Sequence, residues 1–154
     1  MDNETPSKQE EQKVQNNEIY IYLLITDKSG NQFLKPVLRT LPPKEEPLYF
    51  AINQLIQGPN AEEQKQGAYT EIPKDTKILG IVSKENSVII DLSNTFQFGG
   101  GSDSTYARVR QLIKTVLANT NKPAYLYIEG KKADIIGGEG ITLTQPLSEK
   151  SLDE

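Results

Sequence analysis

Apolar and polar residues alternate from Glu18 to Thr26. Ile19, Ile21, Leu23 and Ile25 fall on one face, and Tyr20, Tyr22 and Leu24 on the other. A period of two predicts a strand with one face toward a core. Asp27-Lys28-Ser29-Gly30-Asn31 then reads as a turn, rich in residues that tolerate left-handed backbone. Phe33 to Leu41 predicts a second strand; Pro36 confines it to a sheet edge or interrupts it, and Pro42 and Pro43 end it. Glu45-Glu46-Pro47 opens a helix, with acidic residues and a proline in the first turn. Leu48, Ala51, Ile52, Leu55 and Ile56 follow at helical spacing, and Gly58-Pro59 stops it.

Residues 60–75 read as a polar connection containing Gly67 and Pro73. Thr76–Ser83 and Ser87–Leu92 are apolar runs split by Lys84-Glu85-Asn86, a hairpin signature. Gly99-Gly100-Gly101 leads into a second helix with Asp103 or Ser104 as its expected N-cap. Its apolar stripe is Tyr106, Val109, Leu112, Ile113, Val116 and Leu117, and Asn119 to Pro123 ends it. Tyr125 to Glu129 is a strand, Gly130-Lys131-Lys132 its turn, and Ala133–Ile136 a candidate for one more short strand. The order is β-β-α-β-β-α-β. It predicts an α+β fold with two helices packed on one face of a small mixed or antiparallel sheet.

The ends differ from this body. Residues 1–18 hold one apolar residue after Met1, Val14, and carry a net charge of −3; residues 148–154 carry −2. We therefore expect a disordered linker or tether over 1–17, one domain over 18–147 and a tail over 148–154. With −4 on the whole 154-residue chain, the middle is near neutral, which gives no electrostatic footprint for nucleic acid. No apolar run approaches a membrane span; Ile19 to Ile25 is the longest.

Composition narrows the chemistry. There is no His and no Cys, which removes Ser-His-Asp and Cys-His catalysis, disulfides, and zinc held by imidazole or thiolate. The glycines at 99–101 precede a helix but lack the Lys of a phosphate loop, and Ser104 stands where a dinucleotide fingerprint needs Gly. Glu139, within Gly137-Gly138-Glu139-Gly140, could be one of two glycosidase carboxylates or simply lie in a turn. Asp91, after Val88-Ile89-Ile90, could be a catalytic acid or cap the turn at Ser93-Asn94. Arg39 could pair a carboxylate or bind an anionic partner. Asp27 to Asn31 lacks the twelve-residue calcium pattern and its terminal Glu.

Tyr20, Tyr22, Tyr125 and Tyr127 sit at period two in two strands. If those strands are neighbours, the four rings form one patch on the open face of the sheet. That patch is either a protein or glycan docking surface or cross-strand tyrosine stacking.

Several short motifs occur in order: Leu55-Ile56-Gln57-Gly58-Pro59, then Gly67, Thr70-Glu71-Ile72-Pro73-Lys74-Asp75-Thr76, and Val88-Ile89-Ile90-Asp91-Leu92-Ser93-Asn94-Thr95-Phe96. Gln111-Leu112-Ile113-Lys114-Thr115 and Tyr127-Ile128-Glu129-Gly130 follow, and Arg39 precedes them at the end of the second strand. Together they resemble the sporulation and spore germination (GerMN) domain, in one copy over about 18–147. The resemblance implies a non-catalytic module on lipoproteins or membrane-anchored proteins, facing outward from the bacterial membrane, with a fold similar to the ring-building motif. It implies structural roles for Arg39, Leu55, Gly58, Pro59, Gly67, Pro73, Thr76, Asp91, Leu92, Phe96 and Gly130, and no carried-over active site.

The expectation is thus an extracytoplasmic interaction module with no catalytic, cofactor-binding or metal-ligating residues. Its partners would be envelope proteins, with self-association as a further possibility. Membrane attachment would come only through an N-terminal anchor outside this chain. A peptidoglycan- or carbohydrate-binding wall module, using the tyrosines or Glu139, is the alternative.

Overall fold

The computed structural model describes residues 17–152. Strands β1 (Glu18–Thr26) and β2 (Gln32–Thr40) form an antiparallel hairpin, from Glu18 opposite Thr40 to Thr26 opposite Gln32. Asp27 makes its turn: one carboxylate oxygen accepts the amides of Ser29 and Asn31, at 2.9 and 2.8 Å. The alternation of β1 holds for Ile19, Ile21 and Leu23, which are buried, and breaks at the strand's end, where Leu24, expected on the open face, is buried under Tyr69 and Ile25 is only half-buried. Helix α1 (Pro47–Gln57) starts where the acidic-proline signal places it. Glu46 is the N-cap and accepts the Tyr49 amide at 2.8 Å. The helix buries Leu48, Ala51, Ile52, Leu55 and Ile56 and ends on Gly58 at φ +83°.

The polar connection expected at 60–75 contains a short helix, α2 (Ala61–Lys65). It buries no residue, so no apolar period announces it. Its only sequence signal is the capping box Asn60-x-x-Glu63, in which both reciprocal bonds form, at 2.8 and 3.0 Å.

Strands β3 (Ile78–Ser83), β4 (Val88–Leu92), β5 (Ala124–Ile128) and β6 (Lys131–Lys132) make a four-stranded sheet in that order. β4 and β5 are parallel and the other pairs antiparallel. A parallel pair needs a long crossover. Here it is a 3-10 turn at Asn94–Gln97 followed by helix α3 (Gly101–Asn119). β7 (Ile135–Ile136) and β8 (Ile141–Thr142) form a third, minimal hairpin. The class is α+β as expected, but the strands divide into three sheets. Helices α1 and α3 pack on each other and on β1. The core they share with the four-stranded sheet includes Ile21, Leu23, Ile52, Leu55, Ile90 and Leu126.

α3 begins earlier than its polar residues suggest. Gly100, in left-handed backbone, is the N-cap, and neither Asp103 nor Ser104 caps the helix. Ser104 is engaged elsewhere: its hydroxyl accepts Arg108 and donates to Glu71.

The division into separate sheets has a local cause. The backbones of Tyr20, Tyr22 and Leu24 face away from β2, and buried backbone groups must be hydrogen-bonded. No strand lies there. Instead Asn119 donates to the Tyr20 carbonyl at 2.9 Å, Gln111 to the Tyr22 carbonyl at 3.1 Å, and Thr115 accepts the Tyr22 amide at 3.0 Å. Leu24 exchanges both backbone bonds with Tyr69, each 2.9 Å. Gln111 and Thr115 are fully buried. A second glutamine does the same for β5. Gln145 accepts the Leu126 amide at 2.7 Å and donates to the carbonyls of Leu126 and Ala133, both at 2.9 Å.

Residues 148–152, expected as part of a tail, fold back onto the body. Leu143 bridges to Leu152, Ser151 is buried, and its hydroxyl accepts the Ser148 amide at 2.8 Å. The tether expected over 1–17 lies outside the described residues, save Asn17, whose carbonyl accepts the Leu41 amide at 2.6 Å.

Replacing Gln111 with Leu preserves bulk but leaves the Tyr22 carbonyl and the Glu71 amide, held at 3.1 and 2.9 Å, without partners. Chemical denaturation should show a loss of about 2–4 kcal/mol. A change within about 0.5 kcal/mol, the level of an exposed substitution such as Lys65→Ala, would show that the helix does not complete the strand edge.

Candidate interaction surface and the motif residues

Arg39, near the end of β2, is the hub of one motif group. Its guanidinium makes a two-point ion pair with Glu63, at 2.7 and 2.8 Å, and its Nε donates to Gln54 at 3.1 Å. It also reaches the Gly58 carbonyl at 3.5 Å. One planar cation thereby fastens β2 to the end of α1 and the start of α2, a geometry that suits Arg and not Lys. Of the two readings open to Arg39, pairing a carboxylate is the one realised. The Arg39 hydrogen bond, helped by the Asn60 amide, holds the Glu63 carboxyl below its ordinary range despite partial burial. Leu55 is buried on α1, and Pro59 and Gly67 flank α2, Gly67 at φ +94°.

Arg108 is a second hub that the sequence reading passed over. It is 2% exposed, on the inner face of α3. It donates to the carbonyls of Phe96 and Phe98, each at 3.0 Å, to the Gly99 carbonyl, and to Ser104 Oγ at 2.8 Å. Ser104 in turn donates to Glu71 at 2.6 Å. Burial pushes the Arg108 pKa down, and the Glu71 charge opposes that shift. The side chain thus ties the glycine-rich loop to its own helix. Only the spacing Ser104-x-x-x-Arg108-x-x-Gln111-x-x-x-Thr115 hints at it, a polar stripe beside the apolar one.

Asp91 caps a turn, but not the one expected. Its carboxylate accepts the Gly130 amide at 3.0 Å, across the sheet, while Glu129 accepts the Asn94 amide at 2.9 Å. The two carboxylates clasp the β4 and β5 ends reciprocally. Ser93 instead binds back to the start of β3, accepting the Lys77 amide at 2.9 Å. Leu92 and Phe96 are buried beside this clasp, and Gly130 takes φ +82°. The Pro73 carbonyl accepts the Thr76 amide at 3.0 Å. Thr76 is buried with its hydroxyl unpartnered, which nothing in the structure explains.

The four tyrosines do not form one cross-strand patch. Tyr20 and Tyr22 lie on β1 and Tyr125 and Tyr127 on β5, strands of different sheets, because α3 side chains occupy the edge where β1 would have to pair. Tyr20 is exposed, and Tyr22 lies under Lys114, whose Nζ is 5.6 Å from the ring centre. Tyr125 and Tyr127 sit on the open face of the four-stranded sheet, opposite Ile89 and Asp91. With Ser87, Ile89 and Lys132 they line a shallow depression of about 260 Å³. Lys132 stands 5.8 Å over the Tyr125 ring. Val82, opposite Ile89 on β3, extends this face and is 53% exposed.

Glu139 is exposed in the turn closed by the Gly140 amide on the Gly137 carbonyl, at 3.2 Å. Among the described residues, no three acidic side chains gather to hold a metal, and no helix is long and apolar enough to cross a membrane.

The family model for sporulation and spore germination domains matches residues 19–134. No curated protein sequence matches the chain. Among solved structures, the first GerMN domain of the sporulation protein GerM from Bacillus subtilis is similar. It is 24% identical, with 86% of this chain and 98% of that one covered and a TM-score of 0.68. The tandem GerMN domains of GerM match at 17% identity and a TM-score of 0.60, over 80% of this chain but only 42% of theirs. This chain thus spans less than half of the tandem structure. A candidate lipoprotein from Clostridium perfringens matches at 22% identity, 88% and 89% coverage and a TM-score of 0.58. At these identities the likeness is one of fold.

Two outcomes test the hubs. Glu63→Gln should cost about 1–2 kcal/mol near neutral pH. Because the folded-state pKa of Glu63 is lowered, its contribution is complete above the ordinary value of 4.5. It is lost as pH falls through the folded value. Denaturation at a series of pH values should therefore show the wild-type advantage fading in acid, and a constant gap would contradict the ion-pair account. Gly100→Ala should cost at least about 2 kcal/mol. A Cβ there would lie 2.5 Å from Ser104 Oγ and 2.6 Å from its Cβ, on backbone at φ +82°. A stability unchanged in thermal melts would mean the Ser104–Arg108 clamp is dispensable.

Proposed function

The chain belongs to the family of sporulation and spore germination (GerMN) domains, and on that premise we propose that it is a non-catalytic, extracytoplasmic interaction module that docks on a protein complex of the bacterial envelope. The observation that carries this reading is the open face of the four-stranded sheet. Val82, Ile89, Tyr125 and Tyr127 form an apolar and aromatic surface there, edged by Lys132. Aromatic residues with a cation at the rim suit a protein interface. The polar motif residues support the same reading from the other side. Arg39, Asp91 and Gln111, and Arg108 beside them, are engaged in hydrogen bonds that hold the fold, so they are not free to act on a substrate. An envelope position is supported by the fold shared with the sporulation protein GerM and with a candidate lipoprotein.

A second reading rests on the depression between Tyr125 and Tyr127. A sugar ring can stack on such a tyrosine, so a peptidoglycan-binding wall module uses the same face.

A photo-crosslinking residue placed at Tyr125 in living cells separates these readings. The expected result is capture of one envelope protein, in the membrane fraction, with no capture from a control position at Lys65. Retention on purified peptidoglycan that is lost in Tyr125→Ala would favour the wall module instead. Recovery of the native protein in the soluble cytoplasm would overturn the envelope placement.

A further inference from the structure

Away from the open sheet face, β2, α3 and the C-terminal segment meet in a notch of about 190 Å³. Leu34 of β2, Ile113 of α3 and Leu152 line its apolar part. Ile113 is buried, and Leu34 and Leu152 are half-buried. Each wall is tied down. Leu34 lies opposite Leu24 in the β1–β2 ladder, and α3 is bonded to β1 through Gln111. The segment 148–152 is held by the bridge from Leu143 to Leu152 and by the Ser151 amide on the Ser148 carbonyl. The notch is therefore preformed. It is smaller than the ~300 Å³ at which sites for drug-sized ligands begin, yet larger than the ~150 Å³ apolar cavity that admits benzene. It suits an apolar group of about six carbons, as in benzene.

The rim of the notch is charged. Arg110 and Lys114, one helical turn apart on α3, both stand on it. Arg110 lies over the Tyr106 ring at 5.5 Å and has interactions of its own, so it contributes charge rather than a vacant donor. Lys114 lies over Tyr22, and its Nζ is 3.3 Å from a carboxylate oxygen of Glu149. Among the described residues lining the notch, Glu149 is the one carboxylate, so the rim keeps a net positive charge. The Glu149 side chain is 73% exposed and that of Lys114 37%. Water competes for such a pair, which contributes little. The pair nonetheless shows that a carboxylate can stand against Lys114 at this place. A ligand carboxylate whose apolar group fills the notch would gain burial as well as charge, and Glu149 gains charge alone.

We propose that this notch binds a small carboxylate carrying a compact apolar group, with the ligand carboxylate taking the place of Glu149 on Lys114. Leu34, Ile113 and Leu152 receive the apolar group, and Arg110 adds positive charge beside it. Two sources share this chemistry: a free short-chain acid, and the carboxyl-terminal residue of a polypeptide that ends in an aliphatic side chain. A long acyl chain exceeds the volume of the notch. The site shares no residue with the depression at Tyr125 and Tyr127, so it stands whether or not the open face docks a partner.

Titration of the full chain with hexanoate and with N-acetyl-leucinate, followed by NMR at the methyl groups of Ile113 and Leu152, tests it. At least one acid should bind saturably, with a Kd of about 1–10 mM, as so few atoms allow. The matching amide, hexanamide or N-acetyl-leucinamide, should bind at least about fivefold more weakly. Tighter binding of N-acetyl-leucinate would identify a polypeptide terminus as the source, and tighter binding of hexanoate a free acid. Lys114→Met keeps the apolar stem and should weaken the acid about fivefold. Glu149→Gln removes the competing carboxylate and should strengthen it about threefold. Shifts that do not saturate overturn the proposal, as does an amide that binds as well as its acid, or an affinity unchanged in folded Lys114→Met. Should Lys114→Met fail to fold, Glu149→Gln decides: an affinity no tighter than that of the wild type overturns it.

Discussion

A backbone N–H or C=O at a buried strand edge must find a partner, and the arrangement of this protein follows from how it meets that demand. β1 is paired on one side only. Its other side lies against α3, which presents Gln111, Thr115 and Asn119 in place of a neighbouring strand. A helix with a purely apolar inner face could pack there, but it would leave the Tyr22 amide and carbonyl unsatisfied at several kcal/mol of desolvation. The polar stripe is therefore what allows a helix, rather than a strand, to flank β1. Gln145 applies the same solution to β5 from the C-terminal segment.

The same stripe organises the loops. Gln111 also accepts the Glu71 amide at 2.9 Å, so the motif around Pro73 is anchored on the helix that anchors β1. Three residues N-terminal, just under one turn away on that face, Arg108 holds the Phe96–Gly99 loop and, through Ser104, meets Glu71 again. Arg39 and Glu63 join β2 to the end of α1 in parallel with this system. Motif residues far apart in the chain thus converge on a few hydrogen-bonded hubs. Their side-chain chemistry is spent on position, while the open face of the four-stranded sheet carries aromatic and apolar side chains with no such duty.

Most elements were legible from local pattern. The period of β1, the Glu46–Pro47 start and Gly58 stop of α1, the Asp27 turn and the β3–β4 hairpin all depend on residues within a few positions of one another. α2 was legible only as a capping box, since it buries nothing. The start of α3 was misplaced because Ser104 looks like a cap by local chemistry, whereas Arg108 and Glu71 claim its hydroxyl. Asp91 was rightly placed at a turn, but the turn is the one at Gly130, 39 residues away.

By itself, then, the sequence determined what kind of element each segment forms, the α+β class, the family, and the want of imidazole and thiol chemistry. Those properties are set by residue type and short-range periodicity. Which strands are neighbours was decided only by the tertiary structure. The tyrosines of β1 and β5 alternate in the same way, yet they lie on separate sheets, because Gln111 and Thr115 reach Tyr22 across 89 and 93 residues. A strand's two edges look alike in its sequence. Their fates differ because hydrogen-bond partners for one edge come from the adjacent hairpin, and those for the other come from whichever distant segment the core brings against it.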